Sequence, residues 1–440
     1  MRENLLIYTP LLSPRVHYIM GLIFRDLLGV AYQITADVEQ YHAFDGAKLF
    51  YHTNSPTGKL EVHIAPAGLL TEKSINSHQL RFIDYEGSKA FFPVYAKSAD
   101  MPFDPFSAAF YLVSRYEEYL PYLKDEHGRF SPDAGIAVQQ GFLQVALVNR
   151  WALKLGEILK LKFPTLIFNY PRYRFVPTID IDAAWAYKHK GLIRTLGGYL
   201  KDISSGNIAE AKKRTRVLLG LDKDPFDTFD FLYDIHQKYG LRPIFFILFA
   251  AYSQNDKNTP TGNLPFRRLL KSLADHAFVG IHPSYASNGS LTLLKSEIDG
   301  LSAVLRREIT ASRQHFLKIS FPETYRNLIN LDITDDYSLG FAGKPGFRAG
   351  ICSPFKWYNL EAETETSLTL HPFALMEGTL RDYMNVGPEQ AMDFIRPLVD
   401  EVKSVNGCFI SLWHNESMSE EKRWIGWTRV YSDLVGYASP

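Results

Sequence analysis

The amino-acid sequence predicts an α/β protein in which a smaller α/β domain precedes a barrel of parallel strands. Three observations carry that expectation. Beyond about residue 172, short apolar runs rich in β-branched and aromatic residues alternate with helical periodicities, giving about seven strand-and-helix units. That rhythm belongs to a parallel sheet closed or nearly closed on itself. Before it, the strands are shorter and broken by turn clusters such as Asn54-Ser-Pro-Thr-Gly58 and Ala65-Pro-Ala-Gly68. Finally, 440 residues with 46% apolar content suffice for two cores. The connector opening at Lys162-Phe-Pro-Thr165 sets the boundary near residues 163–172, hence domains at 1–168 and 169–440.

In chain order, Leu5 to Tyr8 reads as a first strand, and Ser13-Pro14 as an N-cap with proline at the first helical position. The helix that follows puts Val16, Ile19, Met20, Ile23 and Leu27 on one face and stops at Gly29. A strand is expected at 30–35. Asp104-Pro105 repeats the cap signal before a helix burying Phe106, Ala109, Phe110 and Val113. Arg115, Glu117 and Glu118 read as its solvated charged face. A second helix is expected at 143–161.

In the second half, Phe175-Val-Pro-Thr-Ile-Asp180-Ile-Asp182 reads as a buried strand, and Asp224-Pro225 as the start of a helix closed by Gly240. Strands are expected at 243–249, at 278–285 ending on His282, at 337–341, at 368–375, and at 408–415 ending on His414. Helices are expected at 265–274, 291–309, 322–331 and 388–405. Asp180, Asp182, His282, Arg313, His315 and His414 all fall at or near strand ends. In a parallel barrel those ends converge on one face, where chemistry is done.

Composition narrows the function. Lys plus Arg and Asp plus Glu are both 48, which argues against broad phosphate attraction to nucleic acid and against a basic membrane-surface protein. A small or uncharged partner fits better. Only Cys352 and Cys408 occur, with no Cys-x-x-Cys pattern, so neither a disulfide scaffold nor a cysteine zinc site is expected. The first residues read as a strand and not as a signal peptide, and no run of 18 apolar residues exists. A reducing, cytoplasmic setting without a membrane span is the expectation.

Two carboxylates one residue apart at a strand end can divide labour, one holding a cation and the other taking a proton from water. The same pair also fits a helix cap beside a solvated neighbour. Three histidines on the same rim favour a divalent ion with mixed oxygen and imidazole ligands, zinc by default.

Those residues resemble the polysaccharide deacetylases of the NodB-homology group, carbohydrate esterase family 4. That resemblance covers roughly residues 172–440 and implies a distorted (β/α)7 barrel removing acetyl from N-acetylated sugars or peptidoglycan. Its Thr-Phe-Asp-Asp signature looks like Thr178-Ile-Asp180-Ile-Asp182 here, which implies Asp180 as base and Asp182 as metal ligand. Its His-Ser/Thr-x-x-His signature is matched by His282, but Ala286 stands where the second histidine belongs. His315 is the candidate for that missing imidazole. The arginine that orients the base is matched by Arg313, with Arg348 as alternative, and Leu412-Trp413-His414 matches the Leu-x-His signature, which implies His414 as general acid. The whole chain is also similar to bacterial deacetylase-like proteins with an extra N-terminal α/β domain. Two rival readings stay open: a metal-free deacetylase-like barrel binding carbohydrate or protein, favoured by Ala286, and a glycosyltransferase holding a metal-bound nucleotide sugar on Asp-x-Asp. The lack of a Rossmann glycine fingerprint counts against the second.

Overall fold

The computed structural model describes residues 4–56, 58 and 60–440. Its N-terminal part carries a parallel sheet in the order Tyr32–Thr35, Leu5–Tyr8, Ala47–Tyr51, Val62–Ile64. Both proline-led helices form as their caps predict. Ser13 accepts from the Val16 amide ahead of Pro14–Met20, and Asp104 accepts from Phe106 and Ser107 ahead of Pro105–Val113. The helix expected at 143–161 is Leu147–Lys162. Its start is set from far along the chain: Glu401 accepts from the Ala146 amide and pairs with Arg150. No local signal encodes that cap.

Arg115, Glu117 and Glu118 correct the expectation of a solvated face, since all three are buried. Arg115 adopts left-handed backbone (φ 54°) and ends the helical run, so a short turn, Tyr116–Tyr119, drives the acids inward instead of continuing their helical phase. Arg115 donates to Glu117 at 2.9 Å and Glu118 at 2.7 Å, and also to the Arg348 carbonyl. Arg348 donates to Glu118 through Nε (2.9 Å) and Nη2 (2.5 Å). Burial alone would raise the Glu118 carboxyl pKa, but Arg348 and Arg115 together hold it below its usual range. This network joins the N-terminal part to the barrel, and one continuous apolar core runs through both.

The barrel is a nine-stranded sheet in the order Phe355–Asn359, Thr364–Leu370, Asp335–Asp336, Ala311–Ser312, Phe278–His282, Ile244–Leu248, Arg174–Ile181, Cys408–His414, Leu375–Met376. All neighbours are parallel except the edge strand Phe355–Asn359. Closure comes from the stretch 364–376. Thr369 and Leu370 pair with Asp335 and Asp336, whereas Leu375 and Met376 pair with Ser411 and Leu412. One bent segment therefore bridges both ends of the sheet and completes a seven-position ring, the (β/α)7 barrel the sequence predicts. Side chains alternate as a strand requires: Val176, Phe246, Cys408, Ile410 and Leu412 fill the barrel, while Phe175, Ile179, Phe409 and Trp413 pack outward against the surrounding core.

Between the first two barrel strands the structure departs from expectation. Two helices that the sequence reading lacks, Leu192–Ser204 and Ile208–Leu218, occupy the interval. The helix expected from Asp224 begins at Phe229. Asp224 is spent elsewhere, its carboxylate accepting the amides of Ala186, Tyr187 and Lys188 at 2.7–3.0 Å and so pinning the loop behind Asp182. The extended stretch expected at 337–341 is likewise displaced to Asp335–Asp336.

A buried ion network and a buried neutral histidine each set a stability that can be measured. Glu118→Ala strands two buried guanidiniums and should cost about 3–5 kcal/mol in urea denaturation; a loss below about 1 kcal/mol would mean that the network is effectively solvated. His236, whose Nε2 lies 2.6 Å from the Tyr431 hydroxyl, is buried, and desolvation pushes its pKa from 6.5 down to about 4. Its folded value lies below its unfolded one, so the neutral ring contributes fully above about 6.5 and that contribution is lost as pH falls toward 4. Between about pH 7 and about pH 4, wild type should lose about 3 kcal/mol more than His236→Gln. Parallel losses in both proteins would refute the assignment.

Candidate active site

The site is built on the inward rungs of four consecutive strands of the barrel. Thr178, Asp180 and, just past the strand end, Asp182 share one face of Arg174–Ile181. His414 stands directly opposite Asp180 in the ladder of Cys408–His414. On the other side Asp180 faces Phe246, Phe246 faces Gly280, and Leu248 faces His282. His282 therefore sits one inward rung above Gly280, at the level of Asp182. Gly280 itself is required, because a Cβ there would come within 2.7 Å of both the Ala311 carbonyl and the Phe246 ring. Phe246 in turn carries the Arg313 guanidinium on its face, 4.7 Å from the ring centre.

Arg313 is fully buried and follows the short strand Ala311–Ser312. Its Nη1 donates to Thr178 at 2.6 Å and to Asp180 at 3.1 Å, while Nε holds the Tyr337 carbonyl at 3.0 Å. The other sequence candidate, Arg348, lies in the Glu118 network and makes no contact with Asp180.

Asp182, His282 and His315 form a cluster in which one ligand atom from each lies within 4.8 Å of the others. Nε2 of His282 stands 3.4 Å from Asp182 Oδ1, and Nε2 of His315 stands 3.8 Å from Oδ2. The outer nitrogens are both engaged: His282 Nδ1 meets the Arg313 carbonyl at 2.5 Å and His315 Nδ1 meets Asp256 at 2.8 Å. Two imidazoles anchored from behind and turned toward one carboxylate are the arrangement that orients metal ligands. The Asp182 side chain is 37% exposed, yet its Oδ1 is sealed from solvent and has no hydrogen-bond donor. An unsatisfied buried carboxylate oxygen is costly unless a cation occupies the space before it. Burial would raise the Asp182 pKa, but His315, His414 and His282 carry it well below the usual carboxylate range. Desolvation lowers the pKa of His282; for His315, Asp182 and Asp256 overcome desolvation and push it up to about 9.

His414 completes the ring. Its Nδ1 lies 2.8 Å from Glu377 and its Nε2 4.0 Å from Asp182 Oδ2. Desolvation opposes its protonation, but Glu377 and the two aspartates raise its pKa well above 6.5. The imidazolium form is thus favoured, with Nε2–H directed to the cavity.

All six residues selected from sequence are brought together. Three partners were not legible there: Glu377 behind His414, Asp256 behind His315, and Arg129, which reaches in from the N-terminal part and donates to the Phe316 carbonyl at 2.7 Å. That carbonyl belongs to a strained turn in which Phe316 and Leu317 both have positive φ (59° and 53°). The cavity above the cluster holds about 200 Å³ and is walled by Arg129, Phe316, Met376, Tyr383, Arg423 and Trp424.

The N-terminal part, residues 5–164, matches a family of unknown function, DUF7033. No curated protein matches the chain. Among solved structures, it is similar to a protein assigned as a polysaccharide deacetylase from Mycobacterium smegmatis (12% identity, 60% of this chain, 84% of that one, TM-score 0.39). It is also similar to an allantoinase (10% identity, 61% and 88%, TM-score 0.37) and to a polysaccharide deacetylase from Bacillus cereus (10% identity, 60% and 88%, TM-score 0.29).

Proposed function

We propose that the protein is a metal-dependent hydrolase that removes acetyl groups from an N-acetylated polysaccharide or peptidoglycan-type sugar. The observation that carries this reading is the Asp182–His282–His315 cluster set between an arginine-held carboxylate and a carboxylate-held histidine. The residues fit a divalent ion: Asp182, His282 and His315 would hold it, and one carboxylate with two imidazoles suits zinc. When bound, such an ion supplies a Lewis acid that acidifies water and polarises the acyl oxygen.

The chain's own groups account for the proton traffic. Arg313 fixes the orientation of the Asp180 carboxylate, which accepts a proton from the attacking water as the water oxygen bonds to the acyl carbon. His414, kept protonated by Glu377, donates from Nε2 to the amide nitrogen as the carbon–nitrogen bond breaks. Acetic acid and a free amine leave, and the proton gained by Asp180 matches the one given up by His414. Tyr383 and Trp424 offer flat faces for a sugar ring at the cavity wall. Residues 1–168 act as a domain that closes one side of this cavity through Arg129.

Purified protein should carry about one zinc, lost in both His282→Ala and His315→Ala, and should release acetate from chitooligosaccharide or peptidoglycan fragments. Asp180→Asn and His414→Ala should each slow that release by at least about 100-fold. Metal-free protein under all loading conditions, or acetate release untouched by Asp180→Asn, would overturn the proposal.

A further inference from the structure

Helix Leu192–Ser204 is turned inside out. A surface helix ordinarily buries its apolar stripe and shows its polar face. Here Leu192, Ile193, Leu196, Leu200 and Ile203 line one side and are 58–87% exposed. The polar side faces the companion helix Ile208–Leu218 instead. Tyr199 bonds Thr215 at 2.8 Å, Asp202 pairs with Arg214 at 2.8 Å, and Gly198 leaves the room the Arg214 guanidinium occupies. Because those polar contacts are satisfied, the outward apolar stripe is the hairpin's settled arrangement. Ile208, Leu218 and Leu219, at the two ends of the companion helix, are exposed as well.

The charge around it is lopsided. Residues 188–216 hold eight Lys or Arg against two Asp or Glu, in a chain whose formal net charge is zero. Lys201 and Lys212 are exposed and have no carboxylate partner among the described residues. An exposed apolar stripe on a hairpin that also carries unpaired cations matches a surface with anionic headgroups over a hydrocarbon interior. A second copy fits less well, since a two-fold contact would set two such cationic hairpins against each other. The hairpin grows from the carboxyl end of Arg174–Ile181, the end bearing Asp180. The cleft between hairpin and barrel, about 540 Å³, shares Glu416, Arg423 and Trp424 with the wall of the candidate site.

We propose that the hairpin 192–218 docks this protein on an anionic lipid bilayer, with the mouth of the candidate site held beside the headgroups. Docking is independent of the deacetylase reading, since it is measured without catalysis. The test is co-sedimentation of the full chain with vesicles rich in phosphatidylglycerol and with vesicles of phosphatidylcholine alone. Wild type should bind the anionic vesicles, and added salt should weaken binding. Lys201→Ala with Lys212→Ala should weaken it by about fivefold per cation removed. Leu196→Ser with Leu200→Ser should abolish it without lowering the melting temperature, since both side chains already face solvent. Wild type remaining unbound, binding insensitive to both pairs of substitutions, or a dimer in ultracentrifugation that Leu200→Glu dissociates would each overturn the proposal.

Discussion

Asp180 and His414 occupy facing rungs of two hydrogen-bonded parallel strands, and the remainder of the site is arranged around that pairing. Strand side chains alternate, so a slip of one residue in either strand would turn its functional group out of the barrel. The outward positions guard against such a slip. Ile179 and Trp413 face one another in the same register and are fully buried in the outer core. Chemistry inside the barrel is thus held in place by hydrophobic packing outside it.

Burying Arg313 beside Asp180 carries a large desolvation cost, which only good geometry offsets. Thr178, the Tyr337 carbonyl and the faces of Phe246 and Phe373 supply that geometry, drawn from different strands and loops. These contacts engage Nε and Nη1 and leave Nη2 buried without a hydrogen-bond partner. The Nη1 contact with Asp180 orients the partner carboxylate, as a positioned proton acceptor requires. The N-terminal part follows the same logic on a larger scale. Arg115, Arg348 and Glu118 lock it to the barrel, and Arg129 then braces the strained turn that presents His315.

What could be read from the sequence was whatever depended on periodicity and strand ends. Apolar runs located the barrel strands, and their last polar residues located Asp180, Asp182, His282 and His414. Glu377, Asp256 and Arg129 left no such mark, because each matters through a contact made across the fold. Arg115 and Glu118 were misread because a continued helical phase would expose them, while a single left-handed residue reverses their direction. The hairpin at 192–218 fails differently. Its pattern is amphipathic, but periodicity defines a face without saying whether that face points in or out. Likewise, a net charge of zero averages away a cationic segment of some thirty residues.

The position of His315 has a consequence for how the cluster can respond to change. Had the second imidazole stood at position 286, one turn after His282, a single local element would have presented both rings. With Ala286 there, the two rings come from separate segments, and their relative position depends on the pairing of Ser312 with Ile281 and on the turn braced by Arg129. Distortion of that turn moves one ring of the cluster and leaves the other in place. The N-terminal part thereby gains influence over the geometry of the cluster without contributing a ligand to it. Loss of the Arg129 contact would free the turn that presents His315, while Asp180, Arg313 and His414 are held by contacts within the barrel itself.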